Sequence, residues 1–351
     1  VALGGLLASA PPGPGPACTR VLRRLPKMPL GLLGSAAFYL ASSAGMSILN
    51  KLAVTALPLP VTLVVIQMAF TTATTLCGWR LIHIGSLRDA LRWGCTVPLL
   101  FNAMLVSSMF AMRHNTLGTI AVFRNIAPLF TLAIERVFRV PIEVDGPTIA
   151  SLLTIVLGVG IYHAASIQFS RVGLTAIGVN IVFAVLERIL QRYLLAQEPV
   201  DLSKPGMMLL NNAVGIAING VLLVAFGEAW SAGAVDGEPP ALGSVLWGLT
   251  LGQWGVVAAS CANGVAISYA GLRVQQLVTA TTFMVLTNAN KLIVILYGAV
   301  ALGERTSLSA AVGMALSLVG SFWYARARAA LSARPKPIVD GEAARLLKPV
   351  P

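Results

Sequence analysis

Ten long apolar runs dominate this sequence and limit what it can fold into. Each is roughly 18 to 25 residues long, enough for a helix to cross the ~30 Å hydrocarbon core of a bilayer. Because lipid offers no hydrogen bonds to an open backbone, such runs must be helical. The runs cover residues 30–49, 60–80, 95–112, 116–137, 147–166, 172–194, 206–227, 246–270, 276–301 and 307–325. The sequence therefore predicts an all-α membrane protein with ten transmembrane helices.

The charged residues support this interpretation through their placement. Only 11% of the residues are charged and 56% are hydrophobic, a balance that is atypical of soluble globular proteins. The formal net charge of +12 would suggest nucleic acid as the partner of a soluble protein. Here the Lys and Arg residues collect beside alternate ends of the runs, which is a topology signal. Both termini are expected to face the cytosol, as an even number of spans requires, and no nucleic-acid partner is expected.

The ends of the chain differ from its apolar middle. Residues 1–29, rich in Pro, Gly and Ala, and the polar residues 331–351 are expected to be disordered and cytosolic, flanking a ten-helix domain at 30–330. Residues 1–29 lack a basic region before their apolar part, so they are not predicted to be a cleaved signal. The four Cys and three His show no metal-ligand spacing, so no metal or cofactor is predicted.

The chain also contains an internal repeat. The segments that begin "VFRNIAPLF" at Val122 and "VLTNANKLIV" at Val285 both run from a polar, cationic cluster through an apolar helix to an acidic residue, a turn and a second helix. Five spans followed by five spans, about 30–166 and 172–325, must be inserted in opposite orientations. Inverted repeats build transporters with a substrate site near the midplane, between the halves. The alternative is that two apolar helix pairs resemble each other by chance.

Two cations occupy corresponding positions in the repeat, Arg124 in the fourth run and Lys291 in the ninth. A charge at the bilayer centre costs roughly 2.5–3.5 kcal/mol on insertion scales, so it persists where it faces a cavity or a partner. No acidic residue lies deep in the same runs. The pair therefore predicts an anionic ligand such as phosphate, which suits the fork of Arg and the point charge of Lys. The alternative is structural pairing with Glu187 or with helix-end carbonyls.

Two adjacent amides, Asn211 and Asn212, form a second polar feature in the seventh run. Neighbouring helical residues point about 100° apart, so one helix contact does not account for both. Their donors and acceptors could read the edge of a nucleobase, and Tyr39 or Tyr269 could stack on a ring. Intramembrane Asn residues also join helices to one another, and that alternative stays open here.

These residues stand in motifs that resemble those of the nucleotide-sugar transporters of the drug/metabolite transporter superfamily, most closely the Golgi GDP-mannose transporters. The string Leu209-Leu210-Asn211-Asn212 matches their F-Y-N-N motif at both Asn residues. The string Thr287-Asn288-Ala289-Asn290-Lys291 matches G-A-L-N-K at Asn290 and Lys291. The resemblance covers about residues 35–330, and further matches are Tyr39, Ser42, Ser43, Asn50, Lys51, Phe123-Arg124-Asn125 and Ile267-Ser268-Tyr269.

The resemblance implies a role for each matched residue. Asn211, Asn212 and Ser268 would contact the guanine, and Tyr39 would help to enclose the nucleotide. Lys291 would neutralise phosphate and border the sugar, and Arg124 takes the place of a Lys in the family.

Three departures fall on the part of the site that handles the sugar. Phe283 stands where the family has a sugar-contacting Tyr, Thr287 replaces a Gly, and Gly271 replaces a Ser. The resemblance therefore implies GDP as the carrier more firmly than mannose as the cargo.

The predicted function is a Golgi antiporter that imports a GDP-sugar such as GDP-mannose in exchange for GMP, without a cofactor. Its expected partners are nucleotide-sugar, nucleoside monophosphate and membrane lipid, with a homodimer as a candidate assembly. Alternatives of the same superfamily are a UDP-sugar transporter and a triose- or hexose-phosphate translocator. The latter carries a Lys-Arg pair where Lys291 is followed here by Leu292. From other classes, a membrane glycosyltransferase would need loop carboxylates such as D-x-D, and a scaffold would not explain the intramembrane cations.

Overall fold

The computed structural model describes residues 30–137, 144–165, 170–228, 242–277, 280–304 and 307–332. The two terminal segments predicted to be disordered lie almost wholly outside these ranges. Within them the regular structure is helical, apart from one isolated antiparallel bridge between Ile84 and Leu202. The prediction of an all-α protein is confirmed for the described residues.

The helices of the described residues are numbered in chain order. They are α1 (Leu30–Ala56), α2 (Pro60–Cys77), α3 (Leu87–Gly94), α4 (Val97–His114), α5 (Leu117–Phe123), α6 (Ala127–Val137), α7 (Gly146–Ala165), α8 (Arg171–Arg192), α9 (Lys204–Ala225), α10 (Leu242–Gly248), α11 (Leu251–Leu277), α12 (Ala280–Ala301) and α13 (Leu308–Ser332).

Eight helical segments in these ranges are long and apolar enough to cross a bilayer. They are Pro60–Cys77, Leu87–His114, Leu117–Ile134, Gly146–Ala165, Arg171–Leu195, Lys204–Ala225, Leu251–Val274 and Leu308–Leu331. The two remaining predicted runs correspond to α1 and α12. Within α12, residues Leu286–Ala301 form a shorter apolar stretch. The arrangement of ten spans in two inverted halves stays a prediction.

The fourth predicted span is not one continuous helix. A 3-10 turn at Arg124–Ile126 separates α5 from α6, and the Ala127 N–H bonds to the carbonyl of Arg124. Pro128 has no N–H to donate to that carbonyl, so the regular α-helical bond from residue 128 cannot form. The chain tightens to 3-10 geometry instead, at the residue that carries the predicted cation.

Small residues bring α7 and α13 into backbone contact. A Cβ on Gly158 would come 2.4 Å from the Ser317 nitrogen, and one on Gly313 would come 2.5 Å from the Tyr162 nitrogen. Such close approach favours helix association in lipid, where apolar burial alone gives little driving force. The other extensive helix contacts pair α4 with α8, α1 with α11 and α2 with α9.

Two Gly-Glu pairs connect later helices to earlier ones. Gly227 follows α9 with φ 73° and Gly303 follows α12 with φ 63°, a left-handed conformation that glycine adopts without steric cost. The carboxylate of Glu228 then accepts the backbone N–H groups that open α2, at 2.8 and 3.0 Å. Glu304 accepts those that open α5, at 2.7 and 3.0 Å. Each Glu satisfies N–H groups that have no partner within their own helix.

Candidate functional site

The 3-10 turn between α5 and α6 positions Arg124. Its guanidinium donates from Nε to Asn180 Oδ1 at 3.0 Å and from Nη2 to Ser108 Oγ at 2.8 Å. The Asn180 amide donates in turn to the Met104 carbonyl at 2.7 Å. Side chains of α8 and α4 therefore orient the guanidinium through neutral groups, which leave its charge uncompensated.

Lys291 lies in the middle of α12 and reaches the same turn. Its Nζ donates to Asn125 Oδ1 at 2.7 Å and to Asn288 Oδ1 at 3.1 Å. Asn125 is fully buried and donates from Nδ2 to Ser317 Oγ at 3.0 Å. Because Asn125 directly follows Arg124, these contacts bring the two predicted cations together where α12 meets the broken span.

Positive charge accumulates where Arg124 and Lys291 approach each other. Within the described ranges, neither Arg124 nor Lys291 forms a salt bridge. Glu187, the carboxylate considered as a structural partner, is buried on α8 and interacts electrostatically with its neighbour Arg188. Arg188 also lies within electrostatic range of both cations. The region therefore suits an anion that carries more than one negative charge.

Asn290, the residue before Lys291, connects α12 to α1. Its Nδ2 donates to Ser43 Oγ at 2.7 Å, while its buried Oδ1 has no hydrogen-bond partner within the described residues. A buried polar atom without a partner costs about 1–3 kcal/mol. A donor that reached this oxygen would therefore be stabilising.

The two adjacent amides of α9 have different partners. Asn211 Oδ1 accepts the indole Nε1–H of Trp93 at 2.8 Å, and Asn212 Nδ2 donates to the Met208 carbonyl at 2.7 Å. Both Asn residues are buried, and Trp93 is fully buried. The Trp93 bond joins α3 to α9, whereas the Met208 bond lies within α9. Farther along α9, Asn219 donates to Asn102 of α4 at 2.6 Å.

Tyr39 is buried where α1 packs against α11. It belongs to an apolar cluster with Ala270 and Val274. Gly271 lies beside its ring, because a Cβ there would come 4.0 Å from Tyr39 Cε2. The Ser expected from the resemblance at position 271 would therefore lie against this ring, and its absence leaves space at the aromatic edge.

The remaining predicted site residues lie on α11 and α12. Ser268 is half-buried on α11, and Thr287 is half-buried on α12. Phe283 belongs to α12, but its side chain is outside the described residues. A cavity of about 310 Å³ opens between α1 and α11, and it is lined by Gly34, Ser35, Phe38, Tyr269, Ala270 and Arg273.

The chain matches a family model along most of its length. The model of the triose-phosphate transporter family matches residues 30–325, from the first helix into the last. The chain belongs to this family. Membership makes the protein a transporter and not an enzyme, which excludes the glycosyltransferase alternative.

Similar plant proteins have names that refer to GDP-sugars. The chain is 25% identical over 295 residues to the GDP-mannose transporter GONST3 of Arabidopsis thaliana, covering 83% of this chain and 77% of that protein. It is 24% identical over 296 residues to GDP-fucose transporter 1 of the same organism, covering 82% and 83%. The GDP-mannose transporter GONST2 is 22% identical over 317 residues, covering 85% and 79%. The resemblance to nucleotide-sugar transporters is thereby confirmed.

Within this transporter, Lys51, which matches the family motif of the first span, binds the C-terminal end of a helix. Lys51 Nζ donates to the carbonyls of Met112 and Asn115, each at 2.7 Å, at the C-terminus of α4. A cation is stabilised there because the last carbonyls of a helix lack partners within it. Glu304 lies within electrostatic range of Lys51.

Two residues near the predicted site, Arg188 and Trp93, are not among the site residues predicted from the sequence. A Trp close to the start of a span is usual at a membrane interface, so its type and position carried no signal for contact with Asn211.

Proposed function

We propose that this transporter is an antiporter that moves a GDP-sugar such as GDP-mannose into the Golgi lumen in exchange for GMP. The observation that carries the proposal is the bond from Lys291 to Asn125, beside Arg124. It places two cations together, and both have neutral partners within the described residues. Nucleotide-sugars and nucleoside monophosphates supply compact phosphate charge that matches such a site.

The base is proposed to lie near Asn211, Asn212 and Ser268. A guanine presents one carbonyl acceptor and neighbouring N–H donors, which the two amides complement. The names of similar plant proteins, which refer to GDP-mannose and GDP-fucose, support GDP as the carrier. Tyr39 would enclose the nucleotide, and Phe283, Thr287 and Asn290 would border the sugar.

The membrane arrangement proposed for this function has ten spans in two inverted halves, with both termini in the cytosol. The helix pairings support it. In the proposed repeat α1 corresponds to α8 and α4 to α11, so the α1–α11 contact and the α8–α4 contact are equivalent. The α2–α9 and α7–α13 contacts each join two corresponding helices. A site between such halves becomes accessible from either side as they rock against one another.

Obligatory exchange has a physical rationale in this proposal. An empty site retains the repulsion between Arg124 and Lys291 within a low-dielectric protein interior. A bound dianion offsets that repulsion, so the loaded carrier changes conformation at a lower cost than the empty one. Import of a nucleotide-sugar would thereby depend on the return of a nucleoside monophosphate.

A second candidate is a triose- or hexose-phosphate translocator, which the name of the matched family favours. The sequence argues against this candidate, because Leu292 follows Lys291 where such translocators carry the Arg of a Lys-Arg pair. A UDP-sugar transporter is the third candidate, since uracil also carries a carbonyl beside an N–H group.

Exchange in proteoliposomes tests the proposal. Vesicles that contain the purified full chain are preloaded with GMP, UMP or inorganic phosphate and offered GDP-mannose, GDP-fucose, a UDP-sugar, a CMP-sugar and triose phosphate. We expect GMP inside to stimulate uptake of GDP-sugars. Stimulation of triose-phosphate uptake by inorganic phosphate, or of UDP-sugar uptake by UMP, with no response to GDP-sugars, would identify one of the other candidates.

A further inference from the structure

Trp93 is the one aromatic side chain among the described residues that bonds to a predicted base-reading amide. It lies in α3, a short helix whose start is capped by Ser86, and its ring is fully buried. It belongs to an apolar cluster that includes Met207 and Met208 of α9 and Leu272 of α11. A role in holding α9 is therefore expected, and its indole N–H adds a second role.

The bond from Trp93 determines which way the Asn211 amide faces. An indole N–H only donates, so the atom of Asn211 that lies 2.8 Å from Trp93 Nε1 must be the carbonyl oxygen. The hydrogen bond of Asn211 to the described residues uses that oxygen, so its amide N–H groups remain to donate elsewhere.

The neighbouring amide is oriented in the opposite sense. The Met208 carbonyl only accepts, so the atom of Asn212 that lies 2.7 Å from it must be the amide nitrogen. Its oxygen therefore remains available to accept. Asn211 and Asn212 together offer a donor beside an acceptor, with neither amide free to reverse without losing a buried bond.

We propose that Trp93 is a positioning residue that makes Asn211 a donor and so selects nucleobases with a carbonyl at purine C6 or pyrimidine C4 over those with an amine at that position. Guanine presents the acceptor O6 where adenine presents a donor amine, and uracil and cytosine differ in the same way. A donor that cannot turn round rejects the amino bases, because two N–H groups would face each other. This inference rests on the proposed function, in which Asn211 contacts the base.

The variant Trp93→Phe tests this role, because it keeps an aromatic ring and removes the N–H. The Asn211 amide can then turn, and its oxygen can accept from an amino base. We expect the ratio of GMP to AMP affinity, measured by competition for GDP-mannose uptake, to fall roughly 5- to 10-fold, the equivalent of one hydrogen bond. The control Trp254→Phe, at a partly exposed ring on α11, should leave the ratio unchanged.

A purely structural role for Trp93 predicts a different result. Loss of the Trp93 side chain would then lower the affinity for GMP, AMP, CMP and UMP by the same factor, and that outcome would overturn the inference. A double-mutant cycle adds a second criterion. In the Asn211→Ala background, Trp93→Phe should have no further effect on the ratio, and an undiminished effect would show that Trp93 does not act through Asn211.

A further variant covers the case in which Trp93→Phe does not fold. Asn211→Asp keeps an acceptor for the indole and replaces the amide donors with an acceptor. We expect its preference to shift away from GMP toward AMP and CMP, and retention of the wild-type ratio would overturn the inference. If wild-type vesicles exchange no guanine nucleotide at all, the proposed function fails. If they do and the ratio is unchanged in these variants, only the role of Trp93 fails.

Discussion

Asn125 Oδ1 lies 2.7 Å from Lys291 Nζ, and Asn125 Nδ2 lies 3.0 Å from Ser317 Oγ. One fully buried amide therefore joins the cation of α12 to the broken fourth span and to α13. An amide orients an ammonium group as a carboxylate would, but it does not cancel the positive charge. The lysine is thus held in place inside the protein while its charge remains available to a ligand.

Replacing Lys291 by Ala should abolish exchange without preventing folding. A charge-assisted hydrogen bond contributes about 1.5–3 kcal/mol, so nucleotide affinity should fall roughly 10- to 150-fold. Binding of GMP to the purified protein, measured by its effect on thermal unfolding, checks this without depending on transport. The control is Lys204→Ala, at the first turn of α9, which should bind GMP as the wild type does. Equal GMP affinity in the two variants would show that Lys291 does not bind the phosphate.

Replacing Asn125 by Asp should place a carboxylate beside Lys291 and occupy it with an internal counter-ion. We expect little change in the unfolding temperature of the empty protein, because a buried cation gains a partner while the bond from Asn125 Nδ2 to Ser317 is lost. Affinity for GMP should fall at least about tenfold. Unfolding curves with and without GMP separate these two effects. Wild-type affinity in a protein that carries this carboxylate would contradict the claim that the uncompensated charge binds the nucleotide.

Replacing Glu304 by Gln should destabilise the protein through the start of α5. The carboxylate accepts from the Leu117 and Gly118 nitrogens, and an amide offers one acceptor with less negative charge. The expected loss is about 1–3 kcal/mol of unfolding free energy. Thermal unfolding in detergent measures it, and Glu228→Gln should give a comparable loss through α2. We expect GMP affinity to be unchanged in both variants, since the hydrogen-bond partners of Arg124 and Lys291 among the described residues are Asn and Ser side chains.

Replacing Gly313 by Ala should disrupt the contact between α13 and α7. The new Cβ would lie 2.5 Å from the Tyr162 nitrogen and 2.7 Å from the Gly158 oxygen, which are backbone atoms that a rotamer change cannot move. Overpacking of this kind costs about 1–3 kcal/mol. The matched control is Gly160→Ala on α7, whose Cβ meets nothing within 4 Å. It should be neutral or stabilising, because Ala favours helix by about 1 kcal/mol over Gly.

Much of the architecture could be predicted from the sequence because lipid imposes a simple rule. Eight of the ten apolar runs correspond to helices that are long and apolar enough to cross a bilayer. The repeat identified Arg124 and Lys291 as related positions, and the structure brings them together through Asn125. The assignment to nucleotide-sugar transporters came from short polar motifs within the apolar runs, where polar residues are costly and therefore informative.

The finer features depended on contacts between distant parts of the chain. Pro128 could be read from the sequence, but the resulting turn at Arg124 was not predicted. Lys51 matched a motif residue, yet its carbonyl partners lie 61 and 64 residues away, at the C-terminal end of α4. Trp93 and Asn211 are separated by 118 residues, and nothing in either local sequence indicates that they meet.

The sequence by itself determined the helical class, the family and the presence of unusual cations and amides at membrane depth, because each follows from residue type against an apolar background. The tertiary structure decided what these groups do for one another. Whether a buried cation is neutralised, and which end of an amide faces outward, depends on the atom that lies within about 3 Å of it. That atom comes from another helix, so only the packing of helices oriented Asn211 and left the charge of Lys291 uncompensated.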